Sequence, residues 1–181
     1  MSIWKQIKIF LKNKNNVFTS KPLQLLHMNL FGSSRYASLS GKYYAFFIVD
    51  DYSRYTWVLF LANNDDAFDA FRVFYKKVES EKGYVISCVK SDRSGEFTNH
   101  SFENFCNDFG IEHQFSSPRT PQQNEVVERK NKSIQEMART ILNGNTLPKY
   151  FLAEAVNTAY YVLNRVLLDL FSIRLLMSFG K

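Results

Sequence analysis

The chain is expected to fold as an α/β domain with a five-stranded mixed sheet, three antiparallel strands then two parallel ones, flanked by helices. Three observations predict it. Two aromatic and β-branched runs, residues 43–49 and 55–61, are separated by the turn formers Asp50-Asp51-Tyr52-Ser53 and by Arg54. Beyond them, apolar residues recur at three- and four-residue steps, the period of a helix with one buried face. Two further short apolar runs are each preceded by such a helical stretch, the order that returns a chain to a sheet as parallel strands.

In order, residues 23–31 read as the first strand, and the two runs above complete an antiparallel meander. Asn64 or Asp65 can cap the next helix, whose inner face carries Phe68, Phe71, Phe74, Tyr75 and Val78. Gly83 ends it. Residues 85–90 read as a short buried strand. Phe102, Phe105, Cys106 and Phe109 form the stripe of a second helix, stopped by Gly110, and residues 111–115 form the fifth strand. Residues 116–124, SSPRTPQQN, read as a loop. A long amphipathic helix is expected over 126–142, and a last one from Pro148, with Phe151, Ala155, Val156, Ala159 and Leu163 inward.

The 181 residues suit one domain, and an apolar fraction of 45% supplies a core. The net charge is +6, but Lys5, Lys8, Lys12, Lys14 and Lys21 carry five of those charges in a stretch without acids. Residues 1–21 therefore read as a basic extended arm, either simply solvated or bound to nucleic acid. The sequence divides into this arm, a core over 22–166 and a tail over 167–181. Cys88 and Cys106 fit neither a zinc motif nor a disulfide framework and read as buried free thiols of a reducing compartment. No run approaches the roughly 18 apolar residues of a membrane span, and the start, MSIWKQIKIF, does not read as a secretory signal.

Two-metal phosphoryl transfer needs carboxylates on neighbouring strands plus one from a helix, because hard dications take oxygen ligands. Asp92, in SDRSGEF, lies at the end of the fourth strand. Glu128, in PQQNEVVERKN, lies near the start of the long helix, with 35 residues between them. Each acid alone is unremarkable: a strand-end turn residue and a helix-start acid complementing the dipole. The words around them are specific. SDRSGEF and SPRTPQQNEVVERKN, with HMNLFG, VDDYSRYTWVLFL and AEAVNTAYYVLNR in the same order, resemble the integrase catalytic core of copia-type (Pseudoviridae) LTR retrotransposons. The likeness runs from about Lys5 to Arg165.

That resemblance implies a ribonuclease-H-like fold and DNA integration by two-metal transfer with Mg²⁺ or Mn²⁺. It implies retrotransposon ends and target DNA as partners, self-association, no membrane, and an intracellular place, nuclear or cytoplasmic. It makes Asp92 and Glu128 metal-binding catalytic positions. It also implies that Asn131, Lys132 and Gln135, on the helix face that Glu128 begins and Arg139 continues, meet DNA, with Arg119, Arg129 and Lys130 as further phosphate contacts. Asp50 and Asp51 read as turn formers and His27 as structural; His100 and His113 lack a zinc partner at ligand spacing. A cellular ribonuclease H would need four acids in an arrangement that is not matched here.

The departures from the pattern matter as much. The family reads H-x-D-L where this chain has His27-Met28-Asn29-Leu30. Asn29 thus stands at the first catalytic and metal position with a neutral oxygen in place of a bridging carboxylate, so the metals are expected to be weakened or lost and the enzyme inactive. Ser94 and Glu125 stand where the family has glycine, and Leu152 where it has tryptophan. The end, RLLMSFGK, is what one nucleotide string yields a frame away from the family's KTPYELWK, so residues 167–181 are expected to be a frameshifted, poorly ordered tail. The zinc module that precedes such cores is not among these residues, which suggests a decayed fragment of a longer polyprotein. Three roles follow: an integrase, a non-catalytic nucleic-acid-binding remnant, or a pseudogene product with no selected function.

Overall fold

The computed structural model describes residues 19–83, 85–93, 95–115 and 121–178, with backbone alone for 82, 121–126, 128 and 170–178. The strands are β1 (Leu25–Phe31), β2 (Tyr44–Asp50), β3 (Thr56–Leu61), β4 (Cys88–Ser91) and β5 (Glu112–Phe115). The helices are α1 (Ala67–Lys82), α2 (His100–Asp108), α3 (Pro121–Gly144) and α4 (Leu152–Ser178). The sheet order is β3-β2-β1-β4-β5, with β3-β2-β1 antiparallel and β1-β4-β5 parallel. This is the expected mixed sheet, with β1 at its centre.

Alternation along β1 sends side chains to two different cores. Leu26 and Met28, with Phe46 and Ile48 of β2, pack under Phe71, Phe74, Tyr75 and Val78 of α1 and Phe102, Phe105 and Cys106 of α2. The opposite face, through Phe47 and Val58, meets Ile134, Ala138 and Leu142 of α3 and Ala155, Val156 and Ala159 of α4. Asn164 ties that second layer to the sheet: its Oδ1 accepts from the Thr56 amide at 3.0 Å, and its Nδ2 donates to the Thr56 carbonyl at 2.7 Å.

Several boundaries move for local reasons. A 3₁₀ turn, Asn64–Asp66, precedes α1, and Asn63 caps it through a reciprocal bond with Asp66. β4 begins at Cys88, with Val85 exposed. α3 starts at Pro121, so residues 121–124 are helix where a loop was expected; proline suits a first turn because its missing N–H would be unpaired there anyway. A 3₁₀ turn, Lys149–Phe151, follows Pro148, and α4 then runs on to Ser178. Residues 167–178, within the expected tail, take helical backbone here, and between Pro148 and Gly180 no glycine or proline interrupts it. Most of the basic arm lies outside the described residues.

Candidate metal centre and nucleic-acid face

Asn29 sits half-buried in the central strand, paired with Phe47 of β2. Phe47 belongs to the core under α3 and α4, so Asn29 lies on that face of the sheet. On its other side β1 runs parallel to β4, with Leu26 beside Val89 and His27 beside Lys90. That pairing ends at His27 and Lys90, and Asn29 and Asp92 each follow two residues further along their own chains. Asp92 follows directly on β4, and its carbonyl accepts from the buried Ser91 hydroxyl at 2.9 Å, which also lies 2.9 Å from His113 Nε2.

α3 packs across β1 and β2. Its inner stripe is Val127, Asn131, Ile134, Ala138 and Leu142, all buried at three- and four-residue steps. Glu128 is next to the first of these, so the helix brings its backbone to the sheet face that bears Asn29; its side chain lies outside the described atoms. Among the described residues no three His, Cys, Asp or Glu side chains gather as a metal site. Asn131, expected to meet DNA, is 6% exposed and lies on the sheet-facing stripe, and its Oδ1 has no hydrogen-bond partner among the described residues. Arg129, Lys132 and Arg139 are exposed, and Lys130 and Gln135 half-buried. Burial and the neighbouring charge of Arg54 hold Lys130 below its ordinary 10.5. Arg119 lies outside the described residues.

The two turn aspartates have different work. Asp50 is fully buried: Oδ1 accepts from the Leu23 amide, and Oδ2 from the amide and hydroxyl of Ser53. Asp51 joins a cluster that the sequence reading did not foresee. Its Oδ1 lies 3.0 Å from Nε2 of buried His27 and accepts from Arg54 at 3.1 Å, while Oδ2 accepts from Thr19 at 2.9 Å. Burial works to raise the Asp51 carboxyl, but the bond to His27, the charge of Arg54 and the bond from Thr19 outweigh it and hold it below its ordinary 3.8. A depressed carboxylate contributes stability that is complete above its unfolded pKa and is lost as pH falls through the folded one. Thermal melts should therefore lose midpoint below about pH 4. Asp51→Asn should flatten that fall while lowering the midpoint at neutral pH; an unchanged acid limb would show that the cluster contributes nothing. Cys88 and Cys106 are buried free thiols, as expected, and burial pushes both to about 11.

Residues 19–121 match the family described as Integrase core domain. The chain is 40% identical over 143 residues to the retrovirus-related Pol polyprotein from transposon TNT 1-94 of Nicotiana tabacum, covering 79% of this chain and 11% of that protein. It is 32% identical over 154 residues to the one from transposon RE2 of Arabidopsis thaliana, covering 85% and 10%. The chain thus spans about a tenth of the length of these curated relatives. Among solved structures, the HTLV-2 integrase catalytic core domain in complex with magnesium, in its trimeric form, superposes with a TM-score of 0.56 at 21% identity, covering 79% of this chain and 86% of that one. A chain of the simian T-cell lymphotropic virus intasome, in complex with a PP2A regulatory subunit, gives 0.61 at 17%, covering 79% and 49%. At these identities the likeness concerns the fold.

Proposed function

Because the chain belongs to the integrase core domain family of copia-type retrotransposon Pol polyproteins, we propose that it is an integrase core that keeps a DNA-holding face and has lost two-metal phosphoryl transfer. One observation supports this reading: Asn29, a neutral amide, stands half-buried in the central strand, whose parallel pairing with β4 runs toward Asp92. Two adjacent dications need several converging negative charges. Asp92 and Glu128 would supply two, while Asn29 would add a donor without charge. This set does not fit a pair of Mg²⁺ or Mn²⁺ ions.

The DNA face would be the flank of α3 that carries Lys132, Gln135 and Arg139 in line, with Arg129 and Lys130 as further contacts and Arg119 ahead of them in the sequence. Asn131 would act from beneath as a packing residue. Self-association fits the same premise: the HTLV-2 core was solved in dimeric and trimeric forms, and Tyr161, Val162 and Val166 of α4 are exposed here. Among the described residues no helix is long and apolar enough to cross a membrane. Access to DNA would place the chain inside the cell, in nucleus or cytoplasm.

Fluorescence anisotropy with a blunt DNA duplex over a range of salt tests the reading. Affinity should fall steeply with salt, since binding to phosphates releases counterions. Lys132→Ala should weaken binding to unrelated sequences alike and reduce the salt slope by about 1. Salt-independent or absent binding would instead favour a product without a nucleic-acid role.

A further inference from the structure

A cavity of about 100 Å³ opens between the β1–β2 connection, the flank of α3 that carries Gln135 and Arg139, and the start of α4. Its walls are largely aromatic and aliphatic, with Tyr36, Tyr43 and Phe60 on one side and Leu152 and Ala153 on the other. Two cations, Lys42 and Arg139, line it, and no acid does. Tyr36 is itself set between cations, with Lys149 Nζ 5.2 Å and the Arg35 guanidinium carbon 5.9 Å from its ring centre. The connection is held in shape by backbone bonds from Ser34 to the Tyr43 carbonyl (2.8 Å) and from Ser38 to the Lys42 carbonyl (2.9 Å). Tyr36 and Tyr43 remain 43% and 44% exposed.

An aromatic slot ringed by cations suits a flat apolar ring that carries an anion. The cavity also continues the proposed DNA face: Gln135 and Arg139 line it, and they follow Glu128 and Lys132 at three- and four-residue steps. The eleven residue steps of helix from Glu128 to Arg139 span about 16 Å, or roughly five nucleotide steps at the duplex spacing. We propose that this cavity takes an unpaired base of a DNA strand whose phosphates run along α3, with the base stacked among Tyr36 and its neighbours and its phosphate met by Lys42 and Arg139. The proposal rests on the DNA-face reading above. A duplex keeps its bases stacked inside, so only a frayed or single-stranded segment can fill the slot.

The test compares a blunt duplex with the same duplex bearing a single-stranded extension, and adds deoxythymidine monophosphate followed by NMR. The extended duplex should bind on the order of tenfold more tightly than the blunt one, the scale of one base stacking on an aromatic side chain. Ala153→Trp, which fills the slot, and Tyr36→Ala, which removes an exposed ring, should each bring that ratio near one; dispersed NMR spectra verify that both variants fold. The mononucleotide should shift resonances of Tyr36, Tyr43 and Leu152. Salt-dependent binding of the blunt duplex with no preference for the extension, or a preference that survives both substitutions, overturns the slot and leaves the DNA face standing. If no duplex binds, the DNA face fails, and the mononucleotide decides the slot alone: localised shifts keep it, and their absence overturns it.

Discussion

Asn29→Asp should raise the affinity of this chain for Mn²⁺ by about 10³-fold, equivalent to ~4 kcal/mol. The reason is electrostatic. Asparagine offers one neutral carbonyl oxygen, whereas aspartate brings a full negative charge to the central strand, beside the strand that leads to Asp92. One unit charge at ~4 Å from another interacts by about 4 kcal/mol at an effective dielectric of ~20. Asn and Asp are nearly the same size and Asn29 is half-buried, so the change asks little of packing. Calorimetric titration of both forms with manganese measures the difference directly, and a strand-transfer assay follows the chemistry. Tight binding and robust turnover by the Asn29 form would falsify the loss of activity. A gain in metal affinity without turnover would place a second lesion elsewhere, with Glu125 and Ser94 the first positions to revert.

The second large effect is on stability. Asp50→Ala should cost about 3 kcal/mol or more, since each buried donor left without its acceptor costs ~1–3 kcal/mol. The Asp50 carboxylate accepts three bonds, one from Leu23 and two from Ser53. Its backbone carbonyl also accepts from the Arg54 amide at 2.9 Å. Leu23 and Arg54 both hold left-handed backbone, with φ of 64° and 62°, a conformation that non-glycine residues adopt at a cost. The carboxylate thus secures the entry to β1 and the β2–β3 turn together. At this chain length 1 kcal/mol moves a melting midpoint by about 2–4 °C, so circular dichroism should register a fall of roughly 6–12 °C. Asp50→Asn, which keeps one acceptor oxygen, should fall about halfway. A midpoint within a degree of the parent for Asp50→Ala would mean that the turn holds itself.

The same residues show how much was legible beforehand. The meander around Asp50, the Phe71 and Phe102 helices and the β-α-β-α-β order could be read because each depends on neighbours a few residues away. The α3 start at Pro121 is not legible locally, because a proline next to polar residues reads as a loop. Asp51 was read as a turn former because nothing near it in the sequence announces His27, 24 residues away. Asn131 was assigned to DNA on the family's pattern, and only its position relative to the helix axis decides that it faces the sheet.

The amino-acid sequence by itself determined the kind of sheet, the family, the two acids and the substitution at Asn29, since each is written in local periodicity or contiguous words. Tertiary structure alone decided that β1 lies between β2 and β4, that Asp51 pairs with His27, that Asn131 is buried, and that an aromatic cavity with cationic walls lies where Arg139 ends the α3 face. Those facts depend on the parallel pairing of β1 with β4, some 60 residues apart, and on the rotation at which α3 lands on the sheet. Strand pairing and helix rotation are fixed by burying both faces of β1 at once, a condition that no short segment can express.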